Sequence, residues 1–270
     1  EMLKRTGRLT FKKGVHPPSK KHTREAETEK LPMPDKIFVP LAQHVGAPCE
    51  AVVAAGDKVL CGTLVGRATS FVSSNIFSSV SGKVTGTEVR KNQLGNLVEH
   101  LIIENDHQYK KTYMQPLAEE TPEAILSRLT DAGVVGMGGA AFPTHVKMSP
   151  DKQIDTVIIN GAECEPYITC DFRILMEQGE KVIGGALLLK KALGAEKIYI
   201  AIEDNKPEAV EKLKSLAEAQ ENLFIVPVKT KYPQGAEKQL IYAVTKRKVP
   251  AGGLPKDVGC VVNNAATAFA

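Results

Sequence analysis

Two stretches of this sequence combine residue types at spacings suited to ligand chemistry. The first reads Gly133-Val-Val-Gly136-Met-Gly138-Gly139-Ala-Ala-Phe142-Pro143-Thr144-His145-Val-Lys147. Glycines at 136, 138 and 139 can offer backbone N–H groups to an anion without side-chain obstruction. Pro143-Thr144 reads as the opening of a helix whose amino end favours negative charge, and Lys147 adds a cation one turn in. The second stretch reads Thr156-Val-Ile-Ile-Asn160-Gly161-Ala-Glu163-Cys164-Glu165-Pro166. An apolar β-branched run that stops at Asn-Gly, with carboxylates following at i and i+2, fits a buried parallel strand ending in a site. Together they suggest a pocket with a phosphate end and an acidic end.

Neither stretch is a common nucleotide fingerprint. The glycine cluster lacks the Gly-x-Gly-x-x-Gly spacing, no strand leads directly into it, and no Gly-Lys-Ser/Thr closes it. By themselves such glycines also make a tight turn. Cys164 lies between two glutamates, and negative neighbours raise a thiol pKa and blunt its reactivity, so packing is its expected role. No residue reads as a catalytic acid, base or nucleophile. His16 and His44 sit beside prolines with no second ligand at helical or hairpin spacing, which points to fixed turns and to no metal site. The cysteines, at 49, 61, 164, 170 and 260, are odd in number and contain no Cys-x-x-Cys pair. That pattern fits reduced thiols in a cytoplasmic setting.

The elements that must position these stretches follow from the rest of the chain. Its 270 residues can hold roughly two domains. The longest apolar run is far too short to cross a bilayer. The start, Glu1-Met-Leu-Lys-Arg, lacks the apolar stretch of a signal peptide and reads as a trimmed end. Residues 1–45 are rich in proline and charge and should wrap over other elements. In them Lys4, Arg5, Arg8, Lys12, Lys13, Lys20, Lys21 and Arg24 face the single acid Glu1. The plain reading is a solvated tail; the sharper one is a basic strap for acidic lipid or an acidic partner. Nucleic acid does not fit, since tryptophan is absent and no aromatics interleave with the basic residues.

Residues 46–115 have the texture of short strands. Gly56-Asp57-x-Val59-x-x-Gly62 resembles the hammerhead hairpin of biotinyl and lipoyl carrier domains. The hairpin region Thr69–Asn75 has no lysine, however, so a carrier-like fold without a swinging arm is expected. Residues 116–270 alternate helix and strand. Thr121-Pro122-Glu123 opens a helix that Gly133 ends. Asp171–Leu193 has helical spacing, interrupted at Gly179 and near Gly184-Gly185. Strands at Lys197–Glu203 and Leu223–Val228 flank a helix at Pro207–Ala219, which is the texture of a mainly parallel sheet covered by helices. Tyr232-Pro233-Gln234-Gly235 reads as a type II turn before a helix.

Gly-x-Gly-Gly-Ala-x-Phe-Pro-Thr followed by Asn-Gly-x-Glu-x-Glu-Pro resembles the core shared by two flavoprotein families: the flavin subunit of respiratory complex I and the C subunit of Rnf-type ion-translocating ferredoxin:NAD oxidoreductases. Tyr232-Pro-Gln-Gly-x-Glu237 and Val261-x-Asn263-x-x-x-Thr267 match the Rnf family as well. So do Gly14-Val-His-Pro-Pro and Gln43-His-Val-Gly-Ala-Pro, although Lys13 and Lys246 stand where glycine is commoner in that family. The motifs run in the same order over nearly the whole chain.

The resemblance implies an α/β fold class: a parallel-sheet, Rossmann-like FMN- and NADH-binding domain preceded by a small β barrel-sandwich domain of the lipoyl/biotinyl kind. It implies that Gly136, Gly138, Gly139, Lys147, Asn263, Asn264 and Thr267 contact the phosphate and ribityl end of FMN. Asn160, Glu163, Tyr232 and Gly235 would lie nearer the ring. NADH would place its adenine against Phe142 and its ribose and nicotinamide by Glu165 and Glu237. Iron–sulfur clusters are expected only in a cysteine-rich domain beyond this chain's last residue. The implied partners are the other subunits of the Rnf complex and, through it, ferredoxin. The implied location is peripheral, on the cytoplasmic side of the cell membrane. A cobalamin-reducing flavoprotein and a non-catalytic docking scaffold stand as alternatives.

Overall fold

The computed structural model describes residues 9–92 and 95–270. Lys4, Arg5 and Arg8 of the basic segment lie outside the described residues. Backbone contacts divide the chain into two units, one spanning Glu29–Lys147 and the other joining Met148–Ala270 to the amino-terminal segment that ends at Thr28.

The unit Glu29–Lys147 is built on two antiparallel sheets. Its strands are β1 (Lys36–Pro40), β2 (Glu50–Ala51), β3 (Lys58–Val59), β4 (Leu64–Arg67), β5 (Ile76–Phe77), β6 (Gly82–Lys91) and β7 (Leu97–Asn105). One sheet runs β1-β7-β6-β3 and the other β2-β4-β5. Val39, Val59, Val65, Ile76, Val84, Leu101 and Ile103 turn inward and form the core. The β4–β5 loop carries no lysine, in keeping with a carrier-like fold that has lost its arm. Helix α1 (Pro122–Asp131) follows, with Thr121 Oγ1 accepting the Ala124 N–H at 3.2 Å and Pro122 at its first position. The glycine loop ends in the single turn α2 (Thr144–Lys147).

The sequence places boundaries at 45/46 and 115/116, whereas backbone contacts divide the chain at 28/29 and 147/148. Two sets of contacts account for the difference. β1 pairs antiparallel with β7 from Lys36↔Glu104 to Pro40↔His100, so part of the expected extended segment is a sheet strand. The glycine loop and α2 bond into this unit, through Val45 N–H to Ala141 O at 3.3 Å and His145 Nε2 to Phe71 O at 2.9 Å.

The second unit is a parallel sheet covered by helices. Its elements are β8 (Thr156–Gly161), α3 (Cys170–Leu193), β9 (Lys197–Glu203), α4 (Pro207–Leu216), β10 (Leu223–Val228), α5 (Glu237–Thr245), β11 (Cys260–Asn264) and α6 (Ala265–Phe269). Strand order is β10-β9-β8-β11, every pair parallel. Val157, Ile158, Ile159, Ile198 and Ile200 are buried, as the β-branched runs require of strands covered on both faces. Register brings Asn160 opposite Asn264, so the carboxyl ends of β8 and β11 meet on one rim.

Helix α3 is not interrupted at Gly184-Gly185. A Cβ at Gly185 would lie 1.7 Å from Ala268 O, so this glycine is where α6 packs closest. The irregularity lies at Gln178 (φ −132°, ψ 27°), next to Gly179. Among the described residues no helix is long and apolar enough to cross a membrane.

Candidate cofactor site

The end of β8 is tied down by its own amide side chain. Asn160 Oδ1 accepts the Ala162 N–H at 3.1 Å, and Asn160 Nδ2 donates to Gly235 O at 2.8 Å. Gly235 N–H in turn donates to Cys164 Sγ at 3.3 Å. Burial pushes the Cys164 thiol up, as expected of a packing residue. The segment before Gly235 is not the type II turn of the sequence reading. The Tyr232–Pro233 peptide is cis, and the turn closes one residue earlier, with Gln234 N–H donating to Lys231 O at 2.9 Å.

The next residues build a network of buried charge. Glu163 is buried, and its Oε1 accepts the N–H groups of Asp171 at 2.8 Å and Phe172 at 3.4 Å, satisfying orphan donors at the amino end of α3. Its Oε2 lies 3.8 Å from Lys21 Nζ and 3.9 Å from Lys206 Nζ. Lys206, also buried, donates to Ala162 O at 2.8 Å and lies 3.5 Å from Glu203 Oε2. Asn264 Nδ2 donates to Asp171 Oδ2 at 2.8 Å, while Asn264 Oδ1 caps α6 by accepting Ala266 N–H at 2.8 Å. Burial raises the carboxyls of Glu163, Glu203 and Asp171 against the pull of these partners, and burial lowers Lys206.

The glycine loop is held differently. Gly136 N–H donates to Phe142 O at 2.8 Å and Thr144 N–H to Val134 O at 2.9 Å, with Val135 bridging Pro143 antiparallel. These bonds close the neck of the loop, and Met137–Ala140 form an exposed tip. Gly139 adopts φ +126°, open to glycine and rarely to other residues, with open space where a Cβ would stand. The amides of Gly138 and Gly139 find no acceptor among the described residues. Such a tip suits a phosphate; Gly136 has already spent its amide.

The expected site residues thus fall in both units. Gly136, Gly138, Gly139, Phe142 and Lys147 belong to Glu29–Lys147, and the rest to the parallel-sheet unit. Within the latter, Asn160 and Gly235 share one hydrogen-bond chain, and Glu163 and Asn264 meet through Asp171. Glu163 turns its carboxylate to the end of α3, whereas Glu165 and Tyr232 are exposed. Glu237 is the first residue of α5, and Asn263 and Thr267 are buried.

Sequence reasoning missed Lys21, Glu203, Lys206 and Gln234. Lys21 counted as tail charge, yet Lys21 and Arg24 are docked on this unit's own surface, which overturns the solvated-tail reading for that part of the segment. Glu203 ends an apolar strand, and a carboxylate there is the one signal that could have drawn notice. Gln234 is fully buried with neither amide atom bonded. An unsatisfied buried amide costs about 1–3 kcal/mol, so this side chain fits a place that a polar ligand or water completes. In the parallel-sheet unit this orphaned amide fits a polar group of a ligand; in the other unit the open glycine tip fits a phosphate.

Comparison with known proteins gives the family of both stretches. Residues 129–270 match the model of the Nuo51 FMN-binding domain, and residues 9–108 match that of the RnfC barrel sandwich hybrid domain. The chain is 44% identical over 268 residues to the C subunit of the proton-translocating ferredoxin:NAD(+) oxidoreductase complex of Clostridium ljungdahlii, covering 97% of this chain and 58% of that protein. It is 44% identical over 271 residues to the C subunit of the Na(+)-translocating ferredoxin:NAD(+) oxidoreductase complex of Acetobacterium woodii, covering 96% of this chain and 60% of that one. The chain therefore spans only part of the length of these relatives. Among solved structures, an NAD+-reducing [NiFe]-hydrogenase in the H2-reduced state is similar, with a TM-score of 0.50 and 29% identity over 55% of this chain and 29% of that one.

Proposed function

Since the chain belongs to the Nuo51 FMN-binding domain family and carries an RnfC-type barrel-sandwich unit ahead of that domain, we propose that it is the FMN and NAD(H) module of the C subunit in an ion-translocating ferredoxin:NAD oxidoreductase. The observation that carries this reading is the exposed glycine tip with free amides inside the matched stretch 129–270. FMN, when bound, supplies the chemistry of taking a hydride from NADH and passing electrons on singly.

The protein's own part is positioning. Gly138 and Gly139 offer N–H groups, and Lys147 a cation, to the phosphate. Asn263, Asn264 and Thr267 line the phosphate and ribityl end, and Asn160, Tyr232 and Gly235 serve the ring, where the resemblance also sets Glu163. Here Glu163 acts through the backbone it braces. Phe142 offers a face for adenine. Glu165 and Glu237 would repel a dinucleotide's phosphates, so they orient its hydroxyl and amide groups. No proton transfer by these carboxylates is needed. Electrons would leave toward iron–sulfur clusters held outside this chain, on the cytoplasmic face of a membrane complex, with ferredoxin at the far end of the path.

A flavin-fluorescence titration tests this. FMN quenching on binding, followed by anaerobic bleaching of the yellow absorbance with NADH that weakens in Glu165→Ala, is the expected result. A chain that leaves FMN fluorescence untouched at micromolar concentrations would overturn the assignment and leave the docking-scaffold reading.

A further inference from the structure

The basic amino-terminal segment has a definite seat. Between Ser19 and Thr23 it is laced to the acidic turn that follows β8. Lys21 Nζ donates to the carbonyl oxygens of Glu163 at 2.9 Å, Glu165 at 2.8 Å and Ile168 at 2.5 Å. The same ammonium lies 3.8 Å from the Glu163 carboxylate, and its side chain is only 10% exposed. On either side, Tyr167 N–H donates to Ser19 O at 3.0 Å and the hydroxyls of Thr23 and Thr169 meet at 2.6 Å.

Backbone geometry explains why a cation belongs there. Glu163 (φ 53°) and Tyr167 (φ 70°) both adopt the left-handed conformation, at a cost of about 1–2 kcal/mol for each non-glycine residue. Two such residues in one short turn bring three carbonyl oxygens to a single point. Converging oxygens repel one another unless a donor sits among them. An ammonium with its three N–H groups matches that demand.

We propose that Lys21 is a positioning residue for the dinucleotide: the strap clamps the Glu163–Ile168 turn and thereby sets the direction in which Glu165 presents its carboxylate. This deepens the function proposed above and rests on it, because Glu165 is the residue given there to NADH. Lys21 touches no reacting atom. It acts through the Glu165 carbonyl that it holds.

The test compares the chain with Lys21→Met, Lys21→Arg and the double variant Lys21→Met/Glu163→Gln, with Lys12→Met as a strap control. In Lys21→Met the KM for NADH rises about tenfold or more, while FMN affinity and kcat at saturating NADH stay within about twofold. Lys21→Arg recovers part of the KM. The double variant restores the buried charge balance without the carbonyl clamp, so its KM stays high; Lys12→Met matches the parent. A KM that does not move in Lys21→Met, or one that the double variant restores, overturns the proposal. So does loss of FMN affinity in step with KM, which would mark a general structural role. Amide hydrogen exchange separates this failure from failure of the flavin reading. Residues 164–169 should exchange about tenfold faster or more in Lys21→Met whether or not FMN binds, and unchanged exchange would dispose of the clamp.

Discussion

The glycine loop and the acidic turn, one in each unit, are held by opposite means. The loop Gly133–Lys147 is closed at its neck by backbone hydrogen bonds and leaves an exposed tip. The acidic turn is fixed from within by Glu163, Lys206 and Lys21, whose side chains are 0%, 3% and 10% exposed. A tip of glycines can adapt its backbone to an incoming anion. A turn built on buried charge is preorganised, and every member matters to the others.

The largest expected effect breaks the turn. Lys206→Met leaves Glu163 and Glu203 buried with one of their cations gone, and should cost about 3–5 kcal/mol in urea denaturation. A loss under about 1 kcal/mol would mean that the buried charges are not what holds this region. At the loop the balance should invert. Gly139→Val strains the backbone at φ +126°, and FMN affinity should fall about tenfold or more while global stability falls by about 1–3 kcal/mol, less than in Lys206→Met. Equal FMN affinity in that variant would show that the tip's conformation is not used.

Acid sharpens the comparison further. A carboxyl whose folded pKa is raised binds its proton more readily in the native state than in the unfolded chain. For Glu163, Glu203 and Asp171, raised by burial, stability therefore grows as pH falls from the folded values toward the ordinary carboxylate range near about 4. Asp155 has the opposite sign. Burial pushes it up, but hydrogen bonds from Arg247 and Thr156 bring it below its usual value, so its contribution is present above that range and lost in stronger acid. Urea midpoints should climb on mild acidification and then fall, and Glu163→Gln should shrink the climb. A midpoint that only falls would contradict the burial argument. Smallest of all, Cys164→Ala removes one weak hydrogen-bond acceptor and should cost about 1 kcal/mol or less, with FMN binding intact.

Much of the parallel-sheet unit was legible because its signals are local. β9 and β10 fall on their apolar runs to the residue, and Thr121-Pro122 marks the start of α1. What escaped depends on partners distant in sequence. Nothing within residues 30–45 reveals that Lys36–Pro40 pairs with a strand ending at Asn105. Gly184-Gly185 looks like a helix break until α6 is seen lying against it. Lys21 and Lys206 are ordinary lysines whose meaning comes from Glu163. The glycine tip and the Glu163-x-Glu165 turn stood out in the sequence; the cations that brace the turn did not.

The strap's seat also orders events in time. Lys21 and Glu163 are separated by 142 residues, so closing this contact is among the more entropically demanding steps in the unit. On the ribosome, at about 5–20 residues per second, the basic segment emerges roughly 7 to 28 seconds before the turn it serves. Until then its ammonium groups stay hydrated and the barrel-sandwich unit can fold ahead of it. The acidic turn acquires its fixed shape only when the strap, made 142 residues earlier, returns to meet it.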